Sequence, residues 1–190
     1  MKIIFSYIGI IFYTRTMIIG ILGRSRSGKD SIATIIQKIY PHYTIQRFAQ
    51  PIKNALKEIY NFTPEQLEDD SKEVIDIRHN ITPREAMQEM TRYYLNKHGP
   101  DFFSKQVFRL YDNNIEKCII VPDVRYAHDI HQIKKRGGLI IKVIRPMNTH
   151  TIEHSVEDHI NSLQSDYTIQ NDSDLLSLEK KVAEIFNQNE

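Results

Sequence analysis

Met17-Ile-Ile-Gly-Ile-Leu22 runs directly into Gly23-Arg-Ser-Arg-Ser-Gly28-Lys29-Asp30-Ser31, after which Ile32, Ile35, Ile36 and Ile39 recur at helical spacing. A short apolar run, a glycine-bounded turn and an amphipathic stripe predict a buried strand, a loop and a helix in that order. The spacing Gly-x-x-x-x-Gly-Lys gives the loop its chemistry. Two glycines let the chain curl so that backbone N–H groups surround phosphate oxygens, while Lys29 sets a point charge on the β- and γ-phosphates. Gly23, Arg24, Ser25, Arg26, Ser27, Gly28, Lys29, Asp30 and Ser31 are therefore candidate ATP-binding residues, with Lys29 catalytic. In the general form of this loop a Ser or Thr follows the lysine and its hydroxyl ligates Mg²⁺. Here Asp30 holds that place and a hydroxyl follows at Ser31, so Asp30 is a candidate metal ligand, directly or through water. A surface turn rich in Gly, Ser and Arg explains the composition but not the apolar strand and amphipathic helix on its two sides.

The chain has 190 residues, 41% hydrophobic and 26% charged, which suits one folded domain with a real core. Its 25 basic and 24 acidic residues leave a net charge of +1, which disfavours a nucleic-acid polymer as partner and leaves small anions at a local site open. One cysteine, Cys118, makes no internal disulfide and fits a reducing cytoplasm, with strand packing as its expected role. Met1-Lys2 followed by Ile3 to Tyr13 resembles the start of a secretory signal, but no small-residue cleavage site follows and the run is too short to span a bilayer. Residues 1–16 are read as an N-terminal extension, with Met17 as an alternative start, ahead of one domain at 17–190. No membrane partner is expected, and a homodimer is the assembly to test.

Apolar runs and helical patterns then alternate: a strand near Met17–Leu22, a helix over Lys29–Tyr40, a strand near Thr44–Phe48 and a helix near Pro51–Tyr60. Thr63-Pro-Glu-Gln66 and Thr82-Pro-Arg-Glu85 each show a capping threonine, a first-turn proline and a Glu or Gln three residues after the cap, so a helical insert is expected over about 61–110. There follow a strand at Lys117–Val121, a helix at Ala127–Arg136, a strand at Leu139–Ile144, a polar His-rich segment to about Leu163, a strand at Tyr167–Gln170, and a closing helix with Leu175, Leu178, Val182 and Ile185 on one face. The expected fold is α/β, a three-layer α/β/α arrangement with a five-stranded parallel sheet. Its site should lie at the carboxyl ends of the strands.

Phosphoryl transfer asks for in-line placement, a metal on the phosphates and cations where charge moves. Asp123, closing the strand Ile119-Ile120-Val121-Pro122, is a candidate for Mg²⁺ or its water shell, against the plainer reading of a helix cap. Arg125 is a candidate for the acceptor's phosphate, and Arg145, ending the next strand, for a catalytic arginine over the transferred group. Arg84, Gln88 and Arg92 fall on one helical face and could read a base edge and grip a monophosphate, or simply face solvent. The pairs His128/His131 and His150/His154 lack the third ligand of a zinc site, and Ser155 lacks a nucleophile elbow.

Four stretches carry a family resemblance: Gly23 to Ala33, Ala49-Gln-Pro-Ile-Lys-Asn-Ala-Leu56, Ile120-Val-Pro-Asp-Val-Arg-Tyr-Ala-His-Asp129, and Ile141-Lys-Val-Ile-Arg-Pro146 with Tyr167-Thr-Ile-Gln-Asn-Asp172. Together they resemble the deoxynucleoside monophosphate kinases of T-even bacteriophages and large DNA viruses, a family in which the loop also ends Gly-Lys-Asp. The resemblance implies a nucleoside-monophosphate-kinase-like fold, ATP on the loop with Mg²⁺, and a deoxynucleoside monophosphate as acceptor. It places Lys53, Arg84, Gln88 and Arg125 near that acceptor, Arg145 near the transferred phosphate, and Asn171 and Asp172 near adenine. Tyr93 to Phe103 replaces a segment that in relatives carries Gly-Thr and a tryptophan. The animal-type phosphomevalonate kinases share the Gly-Lys-Asp loop and are the nearest rival. A binding module that holds ATP without transferring it, contacting a protein through Tyr93, Tyr94, Phe102 and Phe103, is the alternative of another class.

Overall fold

The structure, a computed structural model, describes residues 17–113, 118–146, 159–160 and 162–187. Its frame is a sheet of five parallel strands, β1 (Ile18–Gly23), β2 (Tyr43–Ile45), β3 (Cys118–Val124), β4 (Leu139–Ile144) and β5 (Tyr167–Gln170), in the order β2-β3-β1-β4-β5. β1 lies in the middle and all six of its residues are buried, which is why it reads as a continuous apolar run rather than an alternation. Its side chains still divide by the period of two. Ile19 and Ile21 join Ile32, Ile35 and Ile36 of helix α1 (Lys29–Ile39) and Leu178, Val182 and Ile185 of α6 (Leu175–Asn187). Ile18 and Leu22 join Phe108 of α4 (Phe102–Asp112) and Ile133 of α5 (Ala127–Lys135) on the other face. Helices thus cover both faces, and the expected α/β/α layering holds.

The insert between β2 and β3 has its own small core of Ile52, Leu56, Phe62, Leu67 and Ala86, contributed largely by α2 (Gln50–Tyr60) and α3 (Pro83–His98). Thr82 caps α3 with a complete reciprocal box with Glu85. The same signature at Thr63 closes both of its bonds, Thr63 N–H to Gln66 Oε1 at 3.0 Å and Gln66 N–H to Thr63 Oγ1 at 3.3 Å, yet no α-helix follows. Two 3₁₀ helices, Glu65–Leu67 and Asp69–Glu73, stand there instead, with Glu68 extended between them. The cause is the missing apolar stripe. After Leu67 the chain reads Glu-Asp-Asp-Ser-Lys-Glu, and a short helix with no face to bury is not stable on propensity alone. Of the insert's aromatics, Tyr94 stacks on Phe102 with centroids 5.4 Å apart and Phe103 packs against two cores, so they serve the insert's interior more than a partner surface.

Two further departures bear on the site. β2 ends at Ile45 rather than running to Phe48: Gln46 still donates to Ile120 O at 2.9 Å, but the next free amides leave the sheet. β3 carries a bulge against β1, where Gly20 pairs with Val121 but Leu22 pairs with Val124. Pro122, which has no N–H for the ladder, lies in the extra residue's span, and Asp123 follows it. Cys118 is buried in the sheet core, as expected. The expected extension at 1–16, His150, His154 and Ser155 lie outside the described residues.

The turn from α5 into β4 tests the packing of this frame. A Cβ on Gly138 would lie 2.7 Å from the Ile18 carbonyl oxygen and 2.6 Å from Ile133 Cγ2. The carbonyl belongs to the central strand and has nowhere to retreat, so Gly138→Ala is expected to cost about 1–3 kcal/mol in urea denaturation. Wild-type stability in that variant would show that β1 and the turn are not in rigid contact.

Candidate active site

The carboxyl ends of β1, β3, β4 and β5 share one edge because all four strands are parallel, and the chain places its unusual residues there. At the end of β1 the turn Arg24 to Ser27 leads into α1. Arg26 takes φ 59° and Gly28 φ 100°, two left-handed residues that curl the backbone. Gly28 also lacks room for a side chain, since a Cβ would lie 2.4 Å from Asn171 Nδ2. That amide donates to Ser27 O at 2.8 Å, so Asn171, expected near adenine, ties the end of β5 to the loop backbone. Gly28 gives α1 no side-chain cap, and a helix N-terminus of this kind can meet an anion. The Lys29 ammonium donates to Arg24 O and so lies across the loop it would serve. Ser27 Oγ is buried with no hydrogen-bond partner among the described residues, while Ser25 and Ser31 are exposed.

Asp30, exposed on the first turn of α1, pairs with Arg47, a residue the sequence did not single out. Asp123 accepts from Phe48 N–H at 3.0 Å and Ala49 N–H at 2.9 Å, one through each oxygen. It is a cap after all, but of α2 rather than of the helix that follows it in sequence. Burial pushes its carboxyl above the usual range, against the pull of those two N–H donors and the charges of Arg125 and Arg47. Asp129, also buried, accepts from Arg125 N–H at 3.2 Å and Tyr126 N–H at 3.1 Å through one oxygen and so fixes the turn that carries Arg125. Its carboxyl is pushed up to about 7, first by burial and then by the Asp123 charge. Arg125 and Arg145 are both exposed at the sheet edge.

Two of the acceptor candidates meet a single acidic segment. Lys53 pairs with Glu68, Arg84 with Glu73, and Arg26 of the phosphate loop with Asp70. The segment Glu68 to Glu73 therefore touches the loop, α2 and α3 at once, which its place in an expected helical insert did not reveal. Gln88 and Arg92 are exposed further along α3, and Asp172 pairs with Lys181 of α6 at 2.7 Å rather than standing free. His128 stacks on Tyr126, and no cluster of three metal-ligating side chains occurs among the described residues.

The two buried carboxyls should respond differently to amide replacement. Asp129 keeps its proton in the folded protein up to about pH 7 but loses it near pH 4 when unfolded, so the folded state holds more protons between those values and its stability falls as pH rises. Asp129→Asn retains an acceptor for both amides and has nothing to titrate, so it should gain on wild type between pH 5 and pH 8 in urea denaturation. A difference independent of pH would refute the shift. Asp123→Asn replaces one acceptor by a donor facing an N–H and is expected to cost about 1–3 kcal/mol in urea denaturation.

Comparison with known proteins bears on the family and the fold. The chain is 29% identical over 165 residues to a protein of Acanthamoeba polyphaga mimivirus that bears the name of a deoxynucleotide monophosphate kinase, covering 78% of this chain and 84% of that one. The crystal structure of shikimate kinase from Aquifex aeolicus vf5 superposes with a TM-score of 0.52 at 11% identity, over 91% of this chain and 98% of that chain, which is a likeness of fold. A sequence model of the deoxynucleotide monophosphate kinase family matches residues 64–182, a span that takes in the acidic segment, α3, Asp123, Arg125, Arg145 and Asn171. The chain belongs to the deoxynucleotide monophosphate kinase family.

Proposed function

We propose that the protein transfers the γ-phosphoryl of ATP to the 5′-phosphate of a deoxynucleoside monophosphate, giving the diphosphate and ADP. One observation supports this reading above the others. Arg26 of the phosphate loop and Lys53 and Arg84 of the insert all bind the same short segment, so phosphate-seeking groups of the loop and of the insert share one neighbour. Two adjacent anion sites suit a donor triphosphate and an acceptor monophosphate held in line.

In this reading the loop amides and Lys29 hold the β- and γ-phosphates. Lys29 exchanges its bond to Arg24 O for a phosphate oxygen. Lys53, Arg84 and Arg125 take the acceptor's phosphate, Gln88 faces its base, and Arg145 comes over the transferred group. The donor set fits Mg²⁺ held chiefly by phosphates. Asp30 is an exposed carboxylate beside Lys29, whereas Asp123 has an amide on each oxygen and would reach the ion through water. When bound, the ion neutralises charge on the β- and γ-phosphates. Asn171, bonded to the loop backbone at the end of β5, stands at the adenine end of the donor site in this reading. Action in the cytoplasm belongs to the same reading: no helix among the described residues is long and apolar enough to cross a membrane, and the one cysteine is a buried thiol. The expected homodimer finds no support, and the reading does not use it.

A coupled ADP-release assay across dTMP, dGMP, dCMP, dAMP and phosphomevalonate tests the proposal. Magnesium-dependent turnover stimulated by at least one deoxynucleotide is expected. Stimulation by phosphomevalonate alone would turn the reading to an isoprenoid phosphate kinase, and stimulation by none would leave a nucleotide-binding module. Lys29→Ala should keep the fold and lower turnover by about 100-fold or more. Wild-type rates in that variant would remove Lys29 from the mechanism.

A further inference from the structure

Between Leu67 and Asp76 the chain is held by charge rather than by burial. Both ends are fixed: Leu67 lies in the core of the insert, and buried Asp76 accepts from Gln66 Nε2 at 2.8 Å and from Arg78 Nη2 at 2.6 Å. None of the described side chains at 68–75 is buried, and Val74 and Ile75 are exposed. Three ion pairs fasten this stretch to three other elements: Glu68 with Lys53 of α2, Asp70 with Arg26 of the phosphate loop, and Glu73 with Arg84 of α3. The local backbone lets the carboxylates reach out together. Glu68 is extended between the two 3₁₀ helices, while Asp70 and Glu73, three residues apart in the second, fall on one face because a 3₁₀ turn takes three residues.

We propose that Glu68, Asp70 and Glu73 hold the cations that the substrate phosphates take, so that their segment is an acidic strap which donor and acceptor displace by anion exchange. The proposal rests on the kinase reading above, in which Arg26 belongs to the donor loop and Lys53 and Arg84 to the acceptor subsite. A guanidinium or ammonium bonds carboxylate and phosphate through the same N–H donors, so the two anions compete for it. Lys53 carries the argument furthest. Its side chain is only 10% exposed, and an ammonium so far removed from water needs an anion beside it in every state of the protein. Glu68, more than half exposed, supplies that anion, and a phosphate monoester can supply it in Glu68's place. The pairs of Arg84 with Glu73 and of Arg26 with Asp70 are more open to water and are given up at smaller cost. Each pair the strap makes therefore lowers the affinity of the ligand that needs the same cation. That sign is opposite to the one expected of a segment that merely supports the site.

The test uses the full chain and titration calorimetry with two ligands taken separately, magnesium ATP and the deoxynucleoside 5′-monophosphate that wild type turns over fastest. Glu68→Gln removes the competitor for Lys53 and is expected to lower Kd for the monophosphate about tenfold, with Kd for ATP within about twofold of wild type. Glu73→Gln should act in the same direction by about two- to fivefold, and Asp70→Asn should show the crossed pattern, tighter ATP with the monophosphate unchanged. Glu68→Gln also leaves Lys53 without its carboxylate, so its urea midpoint should fall and recover when the monophosphate is added. Should that variant not fold, the crossed pattern of the other two decides. Weaker monophosphate binding in Glu68→Gln or Glu73→Gln would make these carboxylates supports of the site and overturn the proposal, as would Kd values within about twofold of wild type throughout. Equal tightening of both ligands in every variant would overturn it too, since a general relief of negative charge needs no exchange. Should wild type turn over no deoxynucleotide, the kinase reading fails and this inference with it; wild-type turnover with no tightening in the variants removes the inference alone.

Discussion

The Asp123 carboxylate holds the insert onto the sheet. Its two oxygens accept from Phe48 and Ala49, 75 and 74 residues away in sequence, and through them fix where α2 begins. A buried carboxylate is costly unless hydrogen-bonded, and the two amides at the start of α2 lie where a helix dipole favours negative charge. Each side answers the other's need. The bulge at Pro122 makes the contact possible, because the residue after a strand's extra member is freed from the ladder and can turn toward its neighbour. Asp129 repeats the device one turn later by holding Arg125 and Tyr126 amides, so the segment from 121 to 129 is set by backbone bonds to buried carboxylates. Arg125 therefore projects from a rigid base although its own side chain is exposed.

The cleft is organised by weaker forces. The ion pair Arg26 to Asp70 joins two exposed side chains and Arg84 to Glu73 a half-buried one to an exposed one, and a pair open to solvent in this way is worth about 0–1 kcal/mol. They are strong enough to bias the segment's position and weak enough for phosphate oxygens to displace. That suits a site that must exclude water during transfer and reopen afterward. Lys53 differs, since its ammonium is largely buried and loses Glu68 only if another anion replaces it.

What the sequence discloses follows the range of the interactions. The phosphate loop is legible from Gly23 to Ser31 because its chemistry depends on neighbours within one turn, and α3 is legible because Thr82 and Glu85 close their box locally. β1 declares itself by an apolar run that only full burial explains. The limits are equally physical. The Thr63 signature forms its bonds and still yields 3₁₀ turns, since a cap starts a helix but burial sustains it. Asp123 is conspicuous at the end of β3, yet its partners belong to another part of the chain. Asn171 is conspicuous at a strand end, yet its bond to the loop backbone is a pairing across 144 residues that no periodicity encodes. The acidic run after Leu67 fails in the same way, because each of its partners lies on a different element.

The Arg26 to Asp70 pair ties the halves of the site together. Arg26 sits in a left-handed conformation that costs a non-glycine residue about 1–2 kcal/mol, in the same turn whose amides are to meet the donor phosphates. Its guanidinium reaches across to the segment that carries Glu68, Lys72 and Glu73. A triphosphate drawing Arg26 inward would free Asp70, and the segment would then be held to the insert by Glu68 and Glu73 alone. An acceptor that competes for Lys53 and Arg84 meets a segment already loosened at its centre. In the proposed reading, occupancy of the loop would be expressed as affinity in the acceptor subsite, with no contact between the two ligands needed.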